Sequence, residues 1–182
     1  MSKALGLLEF TSIAKGMEAA DAMTKAADVR LDEAKTICPG KYLIIVSGDV
    51  AAVKASVEVG EEVGRQTIVD RLIIANIHEE LLAGLSGSND IKEVNSIGVI
   101  EFFSVASAVI AADAAAKAAD VKMIEVRLAM AIGGKSFIVM TGELSAVNAA
   151  VDSGVMASRD AGMLIGKTVI PSPTKEFFHK LL

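Results

Sequence analysis

The sequence predicts an α/β fold of the α+β kind, in which one domain with helices on an antiparallel sheet occurs twice. The first observation is a repeat: Gly6-Leu-Leu-Glu9-Phe10 recurs as Gly98-Val-Ile-Glu101-Phe102. The second is a further match at the same offset, where Lys25-Ala-Ala-Asp28-Val29 recurs as Lys117-Ala-Ala-Asp120-Val121. Ordered matches at a constant offset indicate a duplication. The third is that each copy alternates short apolar runs with stretches of helical periodicity.

The elements of each copy follow one order. Four strands are predicted in the first copy. They are the apolar runs Leu5–Phe10 and Lys41–Val46, the partly alternating segment Val29–Ile37, and a last strand at Thr67–Ala75. Ser12 can cap a helix after the first strand, as Ser104 can in the second copy, because a serine side chain accepts a bond from a free N–H of the first turn. Asp49 opens a second helix. In the second copy, Lys135–Thr141 and Met163–Ile170 predict the last two strands. The order β-α-β-β-α-β is the ferredoxin-like arrangement.

The sequence also predicts the boundary between the copies. A cluster of turn-forming residues, Gly84-Leu-Ser-Gly-Ser-Asn-Asp90, predicts a linker. We therefore expect a first domain over residues 1–90 and a second over residues 91–182, each of about 90 residues, an ordinary domain size. The tail from Thr174 to Leu182 places Phe177 and Leu181 at helical spacing. It predicts a short helix docked on its own domain, with a partner-binding helix as the alternative.

Composition excludes several classes of function. The chain has 182 residues, of which 52% are hydrophobic, with a mean hydropathy of +0.50. Its charge-free stretches, such as Phe102–Ala112, are shorter than the ~20 residues that a membrane-spanning helix needs. The net charge is −5 without a basic run, which predicts no binding to nucleic acid. We expect a soluble cytoplasmic protein whose many small apolar residues are buried against other chains.

The opening strand and first helix carry a resemblance. Gly6-Leu-Leu-Glu9, followed by Gly16-Met-Glu-Ala-Ala-Asp21-Ala-Met-Thr-Lys25-Ala-Ala-Asp-Val29, resembles the shell proteins of bacterial microcompartments, the BMC-domain family. The family's domains form flat hexagonal tiles of six, so the resemblance implies that a two-domain chain forms a pseudohexamer as a homotrimer. Other shell proteins are the implied partners. Lys25 and Lys117 match the lysines of the tile edge, but an arginine typical of that edge is missing.

A narrower resemblance concerns the single cysteine. Lys35-Thr-Ile-Cys38-Pro-Gly-Lys41 and Ala131-Ile-Gly-Gly-Lys135 are similar to a tandem-domain subgroup of propanediol-utilising and related organelles. In that subgroup three copies hold a [4Fe-4S] cluster at the central pore, and Cys38 is the matching residue. The resemblance implies one cluster per trimer with three Cys38 ligands. It also implies electron transfer or cluster exchange across the shell, with encapsulated redox enzymes as partners.

The residues themselves leave other readings open. Iron–sulfur clusters are commonly held by four cysteines, so one cysteine in a turn is by itself a structural or incidental residue. The predicted pore loops hold Pro39 and Gly40 in the first copy and Ile132, Gly133 and Gly134 in the second. One alternative function is a metal-free pore that conducts metabolites. Another is a regulatory module that binds a small molecule, because fold alone does not decide function.

Enzymatic and zinc chemistry are not predicted. Glu9 and Glu101 recur at equivalent positions near a strand end, but neither a nucleophile nor a base accompanies them, and we expect them in subunit contacts. His78-Glu79-Glu80 offers three polar ligand types in a row. No second cluster matches it, so it does not predict a zinc site.

Overall fold

The structure, a computed structural model, describes residues 3–91 and 93–181. The chain divides into two compact units between Ile77 and His78. The sequence places the boundary later, between residues 90 and 91. Residues after Ile77 group with the second unit because they form a helix that packs against a strand and a helix of that unit.

The first unit has the predicted element order. Its elements are β1 (Lys3–Phe10), α1 (Ile13–Ala26), β2 (Val29–Ile37), β3 (Lys41–Asp49), α2 (Val50–Gly64), a 3₁₀ turn (Arg65–Thr67) and β4 (Ile68–Ile74). The strands form a sheet in the order β2-β3-β1-β4, and all neighbours are antiparallel. The ferredoxin-like prediction is confirmed for this unit.

The second unit repeats the pattern and adds a helix at each end. Its elements are α3 (Glu79–Ser86), β5 (Ser96–Phe102), α4 (Val105–Ala118), β6 (Lys122–Leu128), β7 (Ser136–Gly142), α5 (Leu144–Ala157), a 3₁₀ turn (Arg159–Ala161), β8 (Leu164–Pro171) and α6 (Lys175–Leu181). The antiparallel sheet has the order β6-β7-β5-β8. The predicted tail helix is present as α6. The last residue of the predicted tail, Leu182, lies outside the described residues.

The duplication extends to irregularities of the sheets. In the first unit Leu31 pairs with Val46, and the register shifts between Leu31 and Glu33. In the second, Met123 pairs with Met140, and the shift falls between Met123 and Glu125. Because the bulges coincide, residues of β2 and β6 can be matched one to one.

Local sequence explains the helix starts and the packing of the layers. The Ser12 side chain accepts from Lys15 N, and that of Ser104 accepts from Ser107 N, so both predicted caps are confirmed. The core of the first unit lies between sheet and helices and includes Leu8, Phe10, Met23, Ile44 and Val57. Gly6 lets α2 approach β1 closely, since a Cβ there would lie 2.5 Å from Val57 Cγ2.

The predicted linker is in part a helix. Residues 84–86 finish α3, and Gly87 ends it in the left-handed conformation with φ of 60°. Gly84 is helical because it packs on β6, where an added Cβ would lie 2.7 Å from Met123 Cβ. The glycine that suggests a flexible linker therefore serves a close contact. Among the described residues, no helix is both long and apolar enough to cross a bilayer.

Candidate functional site

Cys38 lies in the turn that joins β2 to β3. Ile37, the last residue of β2, is 4% exposed. The Cys38 side chain is half-buried and forms no disulfide, while Pro39 and Gly40 are exposed. Gly40 N donates to Ile37 O at 3.0 Å, and Gly40 has a φ of 78°, which favours glycine. The turn thus holds the thiol at the end of a sheet within reach of groups outside the chain.

An ion pair ties this turn to the central strand. Lys41 Nζ lies 2.6 Å from Glu9 Oε1, and the Glu9 side chain is only 5% exposed. The second unit repeats the pair, with Lys135 Nζ 3.0 Å from Glu101 Oε1. The two recurring glutamates, expected in subunit contacts, therefore have partners within the chain. Each lysine directly follows its loop, so each pair anchors the start of β3 or β7.

The corresponding loop of the second unit runs from Ala129 to Gly134 and has a different chemistry. Four of its residues have positive φ: Ala129, Ala131, Gly133 and Gly134. Two backbone bonds close it, from Ala129 N to Lys135 O at 3.0 Å and from Lys135 N to Ile132 O at 3.3 Å. It carries no thiol. The second copy has an insertion here, because the offset between matching residues increases between the pair Asp28 and Asp120 before the loop and the pair Lys41 and Lys135 after it.

One chain does not supply enough cysteine ligands for an iron–sulfur cluster. Within residues 3–91 and 93–181, no group of three or more His, Cys, Asp or Glu side chains could hold a metal ion. Cys38 is the chain's only cysteine. A thiolate suits iron, but a cluster at this turn needs thiolates from further copies.

The two lysines matched to the tile edge have different surroundings. Lys25 Nζ lies 2.5 Å from Asp21 Oδ2, and the Asp21 side chain is 64% exposed. Lys117 forms the same pair with Asp113 at 2.5 Å, but the Asp113 side chain is 7% exposed. The second pair is covered because Asp113 Oδ1 also accepts from His78 N at 2.8 Å.

Sequence reasoning missed a buried carboxylate on α3. Glu80 Oε1 lies 2.5 Å from Lys122 Nζ, and Glu80 Oε2 accepts from Met123 N at 3.0 Å and from Asn89 Nδ2 at 2.8 Å. Burial raises the pKa of Glu80, but these three donors outweigh it and the net pKa is lowered from its ordinary value. The same bond raises the pKa of Lys122. The run His78-Glu79-Glu80 is thus a helix start and a packing anchor.

Comparison with known proteins identifies the family. A family model for the BMC domain matches residues 4–77 and again residues 96–173. The chain belongs to the BMC-domain family. This BMC-domain chain is 42% identical over 182 residues to the bacterial microcompartment shell protein PduT of Citrobacter freundii, covering 100% of this chain and 99% of that protein.

Two further comparisons agree. A solved microcompartment protein from Desulfitobacterium hafniense DCB matches with a TM-score of 0.94 and 45% identity, covering 97% of this BMC-domain chain and 98% of the other. The carboxysome shell protein CsoS1 of Prochlorococcus marinus is 40% identical over 93 residues, 49% of this chain and 89% of that one. The predicted tandem repeat is confirmed. The chain is a structural subunit of a bacterial microcompartment shell and not an enzyme.

Proposed function

We propose that three copies of this chain form a trimeric pseudohexameric tile of the shell, with a central pore. The duplicated BMC domain supports the proposal, because three two-domain chains supply six similar domains. The small apolar residues that raise the mean hydropathy suit close packing between chains. Lys25 and Lys117 would lie at the tile edge, where other shell proteins are the partners.

We further propose that Cys38 of three chains binds one [4Fe-4S] cluster at the pore. The observation that carries this proposal is the position of Cys38 on the exposed turn between β2 and β3, with its side chain half-buried and in no disulfide. A symmetry axis would bring three thiolates to one point, which a single chain cannot do. When bound, such a cluster supplies one-electron chemistry, for electron transfer or cluster exchange across the shell.

This chain's own groups would fix the position of the ligand. The ion pair between Lys41 and Glu9 holds the residue that follows the turn. The backbone bond from Gly40 to Ile37 closes the turn itself. Because the turn is fixed at both ends, the thiol needs little ordering on binding, and that lowers the entropic cost.

Anaerobic purification tests the assembly and the cluster separately. We expect the wild-type protein to have the mass of three chains, a broad brown absorbance, and about four iron and four sulfide per trimer, the content of one cubane cluster. Cys38→Ser should keep the mass and lose both iron and colour. A monomeric wild-type protein would contradict the tile, whereas a colourless trimer would contradict only the cluster.

A metal-free pore for metabolites is the second candidate. The loop of the second unit favours it, because this loop carries no thiol and exposes Gly133. Backbone N–H groups of such turns can meet a polar or anionic solute. The candidate predicts that Cys38→Ala changes neither the absorbance nor the assembly, and that wild-type protein purified without air contains no iron.

A further inference from the structure

We infer that helix α6 of one copy docks on the outer edge strand β2 of a second copy, with Glu176 paired to Arg30. The inference rests on the self-association in the proposed function and is independent of the cluster. We draw it from the duplication, which lets each residue of one copy be matched to a residue of the other. The equivalent helices are α3 and α6. Helix α3 already packs on the edge strand β6 within the chain, whereas the corresponding groups of α6 and β2 are exposed.

Helix α3 shows what the docked state looks like. It packs against β6 and α4 in the second unit. Leu81 on this helix is fully buried, and Glu80 is 4% exposed. Glu80 binds Lys122 and the Met123 N–H, both on the edge strand β6. An apolar contact thus holds α3 on β6, together with an ion pair between the buried Glu80 carboxylate and Lys122, whose side chain is 58% exposed.

Helix α6 is the counterpart of α3 in the repeat. Each helix follows the last strand of its copy after a residue of positive φ, Asn76 with 55° and Ser172 with 47°. Each has a side-chain cap: His78 accepts from Glu80 N, and Thr174 accepts from Phe177 N at 3.3 Å. Matching these features pairs Glu80 with Glu176 and Leu81 with Phe177.

The helix side of the proposed interface, on α6, is exposed to solvent. Phe177 is 43% exposed, whereas its counterpart Leu81 is buried. Glu176 is exposed, whereas Glu80 is buried. An apolar residue and a carboxylate at consecutive positions therefore lie ready for a partner surface of the kind that α3 occupies.

The strand side of the proposed interface, on β2, is exposed as well. Leu31 is 41% exposed, whereas its counterpart on β6, Met123, is 0% exposed. Arg30 matches Lys122, so a cation lies at the same position of both edge strands. The Arg30 side chain is 63% exposed and pairs with Asp32 on the same strand, so the docked Glu176 would share Arg30 with Asp32. The charges and the apolar residues of β2 complement those of α6.

The residues of a second polar contact also recur in the repeat. In the covered site, Asp113 on α4 accepts a bond from the N–H of the α3 cap, His78. The counterparts are Asp21 on α1, which is 64% exposed, and Thr174. The docked α6 would therefore donate Thr174 N–H to Asp21 of the second copy.

One position differs between the two sites. Gly84 lies against Met123 and Val126, and its counterpart in α6 is Lys180. The counterpart of Val126 is the smaller Ala34. The larger helix residue thus meets a smaller strand residue, and the last turn of α6 lies farther from the strand than that of α3.

Charge reversal tests the pairing by sedimentation equilibrium. We expect Glu176→Arg and Arg30→Glu each to weaken self-association of the full chain by about tenfold or more, because a like-charge pair replaces an opposite pair at an interface. The double variant, which restores an opposite pair, should recover most of the loss. Lys175→Glu is the control on the same helix, because its counterpart Glu79 is exposed in the covered site, and it should leave association unchanged.

The outcomes separate this inference from the proposed function. The docking is overturned if the single variants assemble as tightly as wild type, or if the double variant assembles no better than either single one. In that case a trimeric wild-type protein still supports the proposed tile. A monomeric wild-type protein overturns both. A short bismaleimide applied to Glu176→Cys with Arg30→Cys, in a Cys38→Ser background, should link separate chains. Links confined to one chain contradict docking on a second copy, and Glu80→Cys with Lys122→Cys is the within-chain control.

Discussion

Lys41 Nζ lies 2.6 Å from Glu9 Oε1, directly after the turn that carries Cys38. The Glu9 side chain is 5% exposed and the Lys41 side chain 30% exposed, so the pair is shielded on one side only. It joins the central strand to the start of the next strand in the sheet order. The turn therefore has a fixed anchor.

Glu9→Gln should lower the free energy of unfolding by about 1–2 kcal/mol, because it removes the charge that compensates a half-buried ammonium. Urea unfolding of the full chain measures the change. Glu101→Gln is the matched change in the second unit, where the Glu101 side chain is 35% exposed. It should cost less than about 1 kcal/mol, since exposed pairs contribute little. Equal losses in the two variants would contradict the shielding argument.

The close contact between β1 and α2 gives a second prediction. Gly6→Ala places a Cβ 2.5 Å from Val57 Cγ2 and 2.9 Å from Val53 Cγ1. We expect a loss of about 1–3 kcal/mol, because overpacking forces the helix and sheet apart. Gly166→Ala on β8 is the control, since an added Cβ there meets nothing within 4 Å. A Gly6→Ala melting temperature equal to that of Gly166→Ala would refute the contact.

Glu80 gives a prediction about pH. Its folded-state pKa lies below its ordinary value because Lys122, the Met123 N–H and Asn89 stabilise the carboxylate. Folding therefore favours loss of a proton, so this stabilisation is present above pH 4.5, the ordinary value, and is lost as the pH falls through the folded pKa. We expect wild type to lose more stability between about pH 5 and 3 than Glu80→Gln does. Parallel curves of unfolding free energy against pH would contradict this.

Much of the fold could be predicted from the sequence because duplication and periodicity act locally. The repeated Gly6-Leu-Leu-Glu9 motif marks the first strand of each copy, and Ser12 and Ser104 mark the helix starts that follow. The helical state of Gly84 could not be predicted in this way. Glycine and serine favour turns by their intrinsic preferences, and the contact of Gly84 with Met123 overrides those preferences.

In the candidate site, too, features fixed by local sequence could be predicted, and features fixed by long-range contacts could not. The turn at Cys38 follows from Pro39 and Gly40, which fix local backbone geometry. The pairs of the buried Glu9 with Lys41 and of the buried Glu80 with Lys122 link residues far apart in the chain, and no local pattern encodes such a pairing. The difference in burial between Asp21 and Asp113 likewise depends on what each unit packs against.

In the proposed trimer, three thiols, one from each copy, make one binding site. The most direct test is the iron and acid-labile sulfide content of the anaerobically purified trimer, compared with that of Cys38→Ser at the same oligomeric mass. We expect about four of each per trimer for wild type and none for the variant, with unchanged assembly. Iron retained by Cys38→Ser, or a wild-type trimer free of iron after reconstitution with iron and sulfide, would contradict it.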